Sequence, residues 1–277
     1  MALMANVNRA DRMPMSPTPQ PAQSPRAELR DLRISFPLPD MSTLEVISGI
    51  SMTVAEGEFV AVVGPSGSGK STILRALCGL LEPSGGSVLV DGKPVSGPPP
   101  GVGFMFQKDA LLPWRTVAGN IRIGAELGGV PGDRREERVA SLIKLLRLDG
   151  FENAWPRQLS GGMRQRVSLG RLLAYQPSLM LMDEPFGALD YQTKIAMGKE
   201  LLSVWEAERR AIIFVTHDIE EAVALADRVL VFSARPARII ADYKVMLPRP
   251  RHMRSMRGDP AFTRLTEAIW SDLALPE

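Results

Sequence analysis

Short, wholly apolar runs alternate along this chain with longer stretches in which apolar residues recur every third or fourth position. Phe59-Val60-Ala61-Val62-Val63, Leu179-Met180-Leu181-Met182 and Ala211-Ile212-Ile213-Phe214-Val215 are of the first kind. Unbroken runs of this length read as strands buried on both faces, and another strand is expected over 228–232. Val139, Leu142, Ile143 and Leu146 are of the second kind, spaced i, i+3, i+4, i+7 on one helical face. Just before them, Asp133-Arg134-Arg135-Glu136 reads as a variant of the capping box. Residues 28–56 read as short strands with a loop at Phe36-Pro37-Leu38-Pro39-Asp40, and Pro98-Pro99-Pro100-Gly101 marks another loop. From about Gln107 to residue 168 the pattern turns helical, which places a helical insert inside an α/β framework. After it, strands and helices alternate. That alternation predicts a mostly parallel sheet with right-handed crossovers.

Composition adds limits. The chain has 277 residues, 45% of them hydrophobic, enough for a full core. No apolar run has the length of a membrane-spanning helix. Residues 1–27 carry Pro14, Pro17, Pro19, Pro21 and Pro25 and no apolar signal-like core, so they read as a disordered tail. The single cysteine, Cys78, reads as a small buried apolar residue, and the lack of a disulfide framework fits a cytosolic site. The net charge of +2 is concentrated in Arg249, Arg251, Arg254 and Arg257, leaving the rest of the chain slightly acidic. A nearly neutral body argues against nucleic acid as a partner of the main fold. Residues 248–277 are expected to form a basic, solvated tail with a short helix; contact with acidic lipid headgroups or a membrane partner is the alternative.

Gly64-Pro65-Ser66-Gly67-Ser68-Gly69-Lys70-Ser71-Thr72 lies between a strand-like and a helix-like run and matches the P-loop pattern G-x-x-x-x-G-K-[ST]. Glycines let backbone N–H groups turn inward around a phosphate. The helix that follows offers its unpaired N–H groups and positive dipole end to the same anion. Lys70 supplies a cation for the outer phosphates and Ser71 a hydroxyl for Mg²⁺. Further along, Ser160 is a good helix cap followed by Gly161 and Gly162. Two glycines at a helix start cost roughly 1 kcal/mol each relative to alanine, and close approach of a phosphate to bare backbone accounts for them. The run ending in Asp183-Glu184 is a strand tipped by two carboxylates, Asp183 suited to Mg²⁺ and Glu184 to the attacking water.

With these motifs in place, the chain resembles the ATP-binding subunits of ABC transporters over about residues 28–247. Ser160-Gly161-Gly162 resembles the ABC signature, Asp183 and Glu184 the Walker B pair, Gln107 the Q-loop glutamine, Gly187-Ala188-Leu189-Asp190 the D-loop, and His217 the switch histidine. The resemblance implies a P-loop NTPase fold: a RecA-like, mostly parallel sheet, an antiparallel β subdomain, and an inserted α-helical subdomain at about 107–168 carrying the signature. It implies an ATPase in which Gln107, Glu184 and His217 are catalytic, Ser71, Gln107 and Asp183 hold Mg²⁺, and Phe36 stacks on adenine. A core role is the alternative for Phe36. Two copies would sandwich ATP head to tail, with Ser160, Gly161, Gly162 and Asp190 of one facing the P-loop of the other.

The resemblance further implies integral-membrane permease subunits as partners, a periplasmic solute-binding protein as an indirect one, and a peripheral place on the cytoplasmic face of the inner membrane. Ala110-Leu111-Leu112-Pro113-Trp114 and Leu247-Pro248-Arg249-Pro250-Arg251 resemble the nitrate, sulfonate and taurine importer group. The consecutive bulky residues 111–114, with Val117 and Ile121, predict a permease-docking surface on a helical segment after Gln107; the alternative has Trp114 packing a hinge. Met163, Met180, Met182 and Gly187 depart from the commoner pattern without removing a charged group. An ABC ATPase acting on DNA or ribosomes would need a long coiled-coil insert or a tandem ATPase, and a P-loop kinase or GTPase would lack the signature and switch histidine.

Overall fold

The computed structural model describes residues 24–251 and 253–274, so nearly all of the proline-rich stretch assigned to a tail lies outside the described residues. In chain order the first elements are β1 (Ala27–Pro37), β2 (Thr43–Val54), β3 (Phe59–Val63), α1 (Lys70–Leu77), β4 (Gly85–Val90), β5 (Lys93–Pro94) and β6 (Val102–Met105). Three helices follow, α2 (Val117–Leu127), α3 (Gly132–Leu145) and α4 (Gly161–Tyr175). The chain then alternates through β7 (Leu179–Asp183), α5 (Tyr191–Glu208), β8 (Ala211–Val215), α6 (Ile219–Leu225), β9 (Arg228–Phe232) and β10 (Ile239–Lys244). It closes with α7 (Met253–Met256) and α8 (Pro260–Ala274).

A six-stranded sheet runs β10-β9-β3-β8-β7-β6, parallel except for β10. Its central strands are apolar throughout because both faces are covered. Phe59, Ala61 and Val63 of β3 enter one core cluster, with Met180, Met182, Ile212 and Phe214. Val60 and Val62 enter the other, with Leu181, Ile213 and Leu230. Met180 and Met182 thus act as fully buried apolar fillers. The second sheet is four-stranded and antiparallel, β2-β1-β4-β5. Residues 28–56 are therefore not several short strands. They form two strands of 11 and 12 residues, paired with register shifts that let the long hairpin bend.

The helical insert holds α2, α3 and most of α4. Val139, Leu142, Ile143 and Leu146 are all buried, as their spacing predicts. The start of α3 differs from the expected capping box. Pro131 occupies the cap position, Asp133 falls inside the first turn, and Glu136 pairs with Arg122 at 2.8 Å instead of reaching back. Proline, with its fixed φ, begins the helix two residues earlier than the box would. Residues 106–116 are not helical: Ala110 has φ 43°, and α2 starts only at Val117, capped by Thr116.

The C-terminal segment is not a solvated tail. The Arg251 side chain is buried and donates to the carbonyls of Leu247, Val223, Ala226 and Val245. Burial, and then neighbouring Arg249, push its guanidinium down to about 10. Arg249 lies 4.2 Å over the ring of buried Trp205 and pairs with Asp227 at 2.7 Å. Met256, Phe262 and Ile269 complete the same core. Charge in this segment is spent on internal contacts that a basic composition does not reveal.

Candidate functional site

The P-loop forms where β3 ends and α1 begins. Gly67 and Gly69 take φ of 78° and 94°, conformations that residues with a Cβ resist. Gly69 occupies the cap position of α1 and offers no side chain to cap the first N–H groups of the helix. Lys70 Nζ donates to the carbonyls of Gly64 and Pro65 at 2.9 and 2.8 Å, curling over the loop. Burial lowers its pKa, and the nearby carboxylates of Glu184 and Asp183 oppose that shift.

Asp183 ends β7 and is buried. Ser71 Oγ donates to its Oδ1 at 2.8 Å. Burial raises the Asp183 pKa; the Ser71 hydrogen bond works against it. A hydroxyl and a carboxylate side by side at the P-loop are hard oxygen donors, the kind Mg²⁺ takes together with phosphate oxygens. Among the described residues there is no cluster of three acidic, histidine or cysteine side chains that could hold a metal by itself. A cation here would depend on phosphate oxygens to complete its shell.

Glu184 follows at once, in the left-handed region with φ 46°. Its N–H donates to the carbonyl of Val215 at 2.9 Å, which ties the ends of β7 and β8 together. The carboxylate thereby meets two groups from distant parts of the chain. Gln107 Nε2 donates to Glu184 Oε2 at 3.0 Å, and His217 Nδ1 lies 3.5 Å from the same oxygen. Gln107 thus contacts Glu184 and not the Ser71–Asp183 pair to which it was also assigned. The turn carrying His217 is held from below. Asp218 N donates to Thr216 Oγ1 at 3.0 Å, the Thr216 hydroxyl donates to Glu221 Oε2, and Asp218 caps α6. Glu221 is buried, and burial raises its pKa to about 7.

One cleft of about 430 Å³ is lined by Ser66, Gly67, Gly69, Lys70, Ser71, Thr72, Gln107 and Glu184. Phe36 lines it too, half-exposed at the end of β1 opposite Leu44, so it is not a core residue. Leu44, Val46 and Arg235 are lining residues that motif reading missed. Only the hairpin pairing reveals the first two, and Arg235 lies in a turn after β9 without any recognisable pattern.

The signature segment does not line this cleft. Ser160 caps α4 and accepts from Met163 N at 3.2 Å. A Cβ on Gly161 would meet only the end of Arg164. One on Gly162 would press on Leu189 Cδ2 at 3.0 Å, so packing within the chain explains part of that glycine. Asp190 caps α5, accepting from Thr193 N and Oγ1, which holds its carboxyl below the usual range. The segment after Gln107 is fastened to α4: Arg164 Nε donates to Asp109 Oδ2 at 2.6 Å, and Arg171 Nη1 to Ala110 O at 2.9 Å. Trp114 is 68% exposed, so it packs no hinge. No helix among the described residues is long and apolar enough to cross a membrane.

A family model described as ABC transporter matches residues 47–187. An uncharacterised ABC transporter ATP-binding protein of Methanocaldococcus jannaschii is 49% identical over 213 residues, covering 77% of this chain and 80% of that protein. A taurine import ATP-binding protein of Burkholderia pseudomallei is 44% identical over 234 residues, covering 83% of this chain and 90% of that protein. Among solved structures, the dimeric post-hydrolysis state of an ATP-binding cassette bound to ADP and phosphate matches with a TM-score of 0.72 at 28% identity, covering 80% of this chain and 100% of that one.

Proposed function

Because the chain belongs to the ABC transporter family as an ATP-binding subunit with ATPase activity, we propose that it powers a bacterial importer of the nitrate, sulfonate and taurine type. The observation that carries the hydrolytic part of this reading is the meeting of Gln107, Glu184 and His217 at one carboxylate oxygen beside the P-loop, and the taurine-import relatives support the importer part. In this reading Glu184 orients and polarises the attacking water, and His217 contacts the γ-phosphate. Gln107 links Glu184 to the segment fastened onto α4. Lys70 and the P-loop N–H groups bind the β- and γ-phosphates, and Phe36 stacks on adenine. Ser71 and Asp183 are the residues that would hold Mg²⁺, which supplies charge neutralisation of the outer phosphates.

The signature residues Ser160, Gly161 and Gly162 lie outside the cleft. Two copies arranged head to tail would bring the N-terminus of α4 in one to the nucleotide of the other. ATP would then hold the pair together and hydrolysis would release it. Taurine-import relatives and the exposed Trp114 support docking on permease subunits at the cytoplasmic face of the inner membrane, supplied by a periplasmic solute-binding protein. The test is reconstitution with permease subunits of a sulfonate importer: Mg²⁺-dependent ATP hydrolysis that drives uptake of a sulfonate supports the reading, and hydrolysis with no effect on any bound permease counts against the importer role.

A further inference from the structure

The turn after β9 brings Arg235 to the P-loop from a part of the chain that carries no nucleotide motif. Its placement is not casual. Ala237, two residues on, is fully buried and bridges β2 next to the cleft: Ala237 N donates to Val46 O at 2.9 Å, and Ser48 N to Ala237 O at 3.1 Å. Ser233 closes the turn from inside, its N–H donating to Arg238 O and its hydroxyl accepting from Arg238 N, both at 3.0 Å. The backbone that carries Arg235 is thus fastened to the same strand that supplies Val46 to the cleft wall.

The side chain reaches across to Gly67. Arg235 Nη2 lies 2.9 Å from where a Cβ on Gly67 would stand. The missing Cβ therefore serves two purposes: it permits the left-handed turn, and it admits a guanidinium against the loop backbone. Arg235 makes no hydrogen bond or ion pair among the described residues. Of the charged side chains that line the cleft, Lys70 and Arg235 are cationic and Glu184 is anionic. Lys70 already donates to two loop carbonyls, whereas the N–H fork of Arg235 is uncommitted. A planar guanidinium is well suited to paired contacts with phosphate oxygens.

We propose that Arg235 is a nucleotide-binding residue that, together with Lys70, clamps the phosphate chain of the nucleoside triphosphate. The proposal rests on the reading of this cleft as the ATP site. It predicts a contact that acts on binding more than on the hydrolytic step, because Arg235 touches the loop and not the Glu184 carboxylate.

The test compares equilibrium binding of Mg²⁺-ATP to the full-length protein with that to R235A, R235Q and K70A. Removing a charge-assisted contact of this exposed kind should weaken ATP binding about tenfold in both Arg235 variants. Melting temperatures should stay close to that of the parent, since the turn is held through its backbone. Rising NaCl should weaken ATP binding to the parent more steeply than to R235Q, because a screened ion contact has been lost. R235Q binding ATP like the parent while K70A does not would overturn the proposal, as would parallel salt dependence. Undiminished ATP binding by K70A would instead overturn the reading of the cleft itself, and Arg235 with it.

Discussion

Glu184 and Lys70 share a cleft but fail differently when changed. Glu184→Gln keeps the side chain's size and its contact with Gln107 while removing the negative charge that polarises water. Hydrolysis should fall by about a hundredfold or more, with ATP binding retained and a nucleotide-bound dimer visible by size exclusion. Lys70→Ala should weaken nucleotide binding itself and give no such dimer. Glu221 offers a test in pH. An unfolded chain releases this proton near 4.5, whereas the folded protein holds it to about 7. Between those values the folded state binds more protons, so the group's contribution to stability falls as pH rises and is least favourable above about pH 7. Glu221→Gln should therefore leave thermal stability nearly unchanged near pH 5 and raise it near pH 8, by at most about 3 kcal/mol. A melting-temperature difference of the same size at both pH values would assign the residue a purely steric role.

At the level of elements, legibility in the sequence followed burial. β3, β7 and β8 are apolar on both faces, so their runs are plain in the sequence. β1 and β2 bury one face each, and their alternation is interrupted by bulges, which disguised two long strands as several short ones. The loop after Gln107 looked helical because its residues are apolar, yet Ala110 and Pro113 break the path. In α8 the apolar spacing of Phe262, Leu265 and Ile269 was present but overshadowed by the arginines before it. The motifs of the site were legible because phosphate chemistry restricts residue types. Arg235 was not, since only the tertiary path of the turn gives it meaning. The C-terminal clamp makes its own prediction. Arg251→Ala would leave the carbonyls of Leu247, Ala226 and Val245 without their buried donor. The loss should be about 3 kcal/mol or more, a fall of roughly 10 °C in melting temperature for a chain of this size.

For the whole molecule, the separation between the cleft and the signature helix is the property that matters most. If each site is completed by a second copy, the specific activity of the isolated subunit should rise with protein concentration before levelling off. A concentration-independent rate from a demonstrated monomer would contradict the shared site. Under the proposed docking role, Trp114, exposed beside the segment that joins Gln107 to α4 through Asp109 and Arg164, would sit at the permease contact. Trp114→Ala should leave ATP binding by the isolated subunit nearly intact while cutting solute uptake in reconstituted vesicles; normal uptake with verified assembly would remove Trp114 from that contact.

The left-handed backbone at Glu184 has an evolutionary corollary. Glycine tolerates that conformation freely and asparagine nearly so, while a glutamate there costs about 1 kcal/mol. A library screened for heat resistance alone should thus drift toward glycine or asparagine at position 184 and lose turnover as it hardens. A requirement for ATP hydrolysis would keep the less comfortable residue in place.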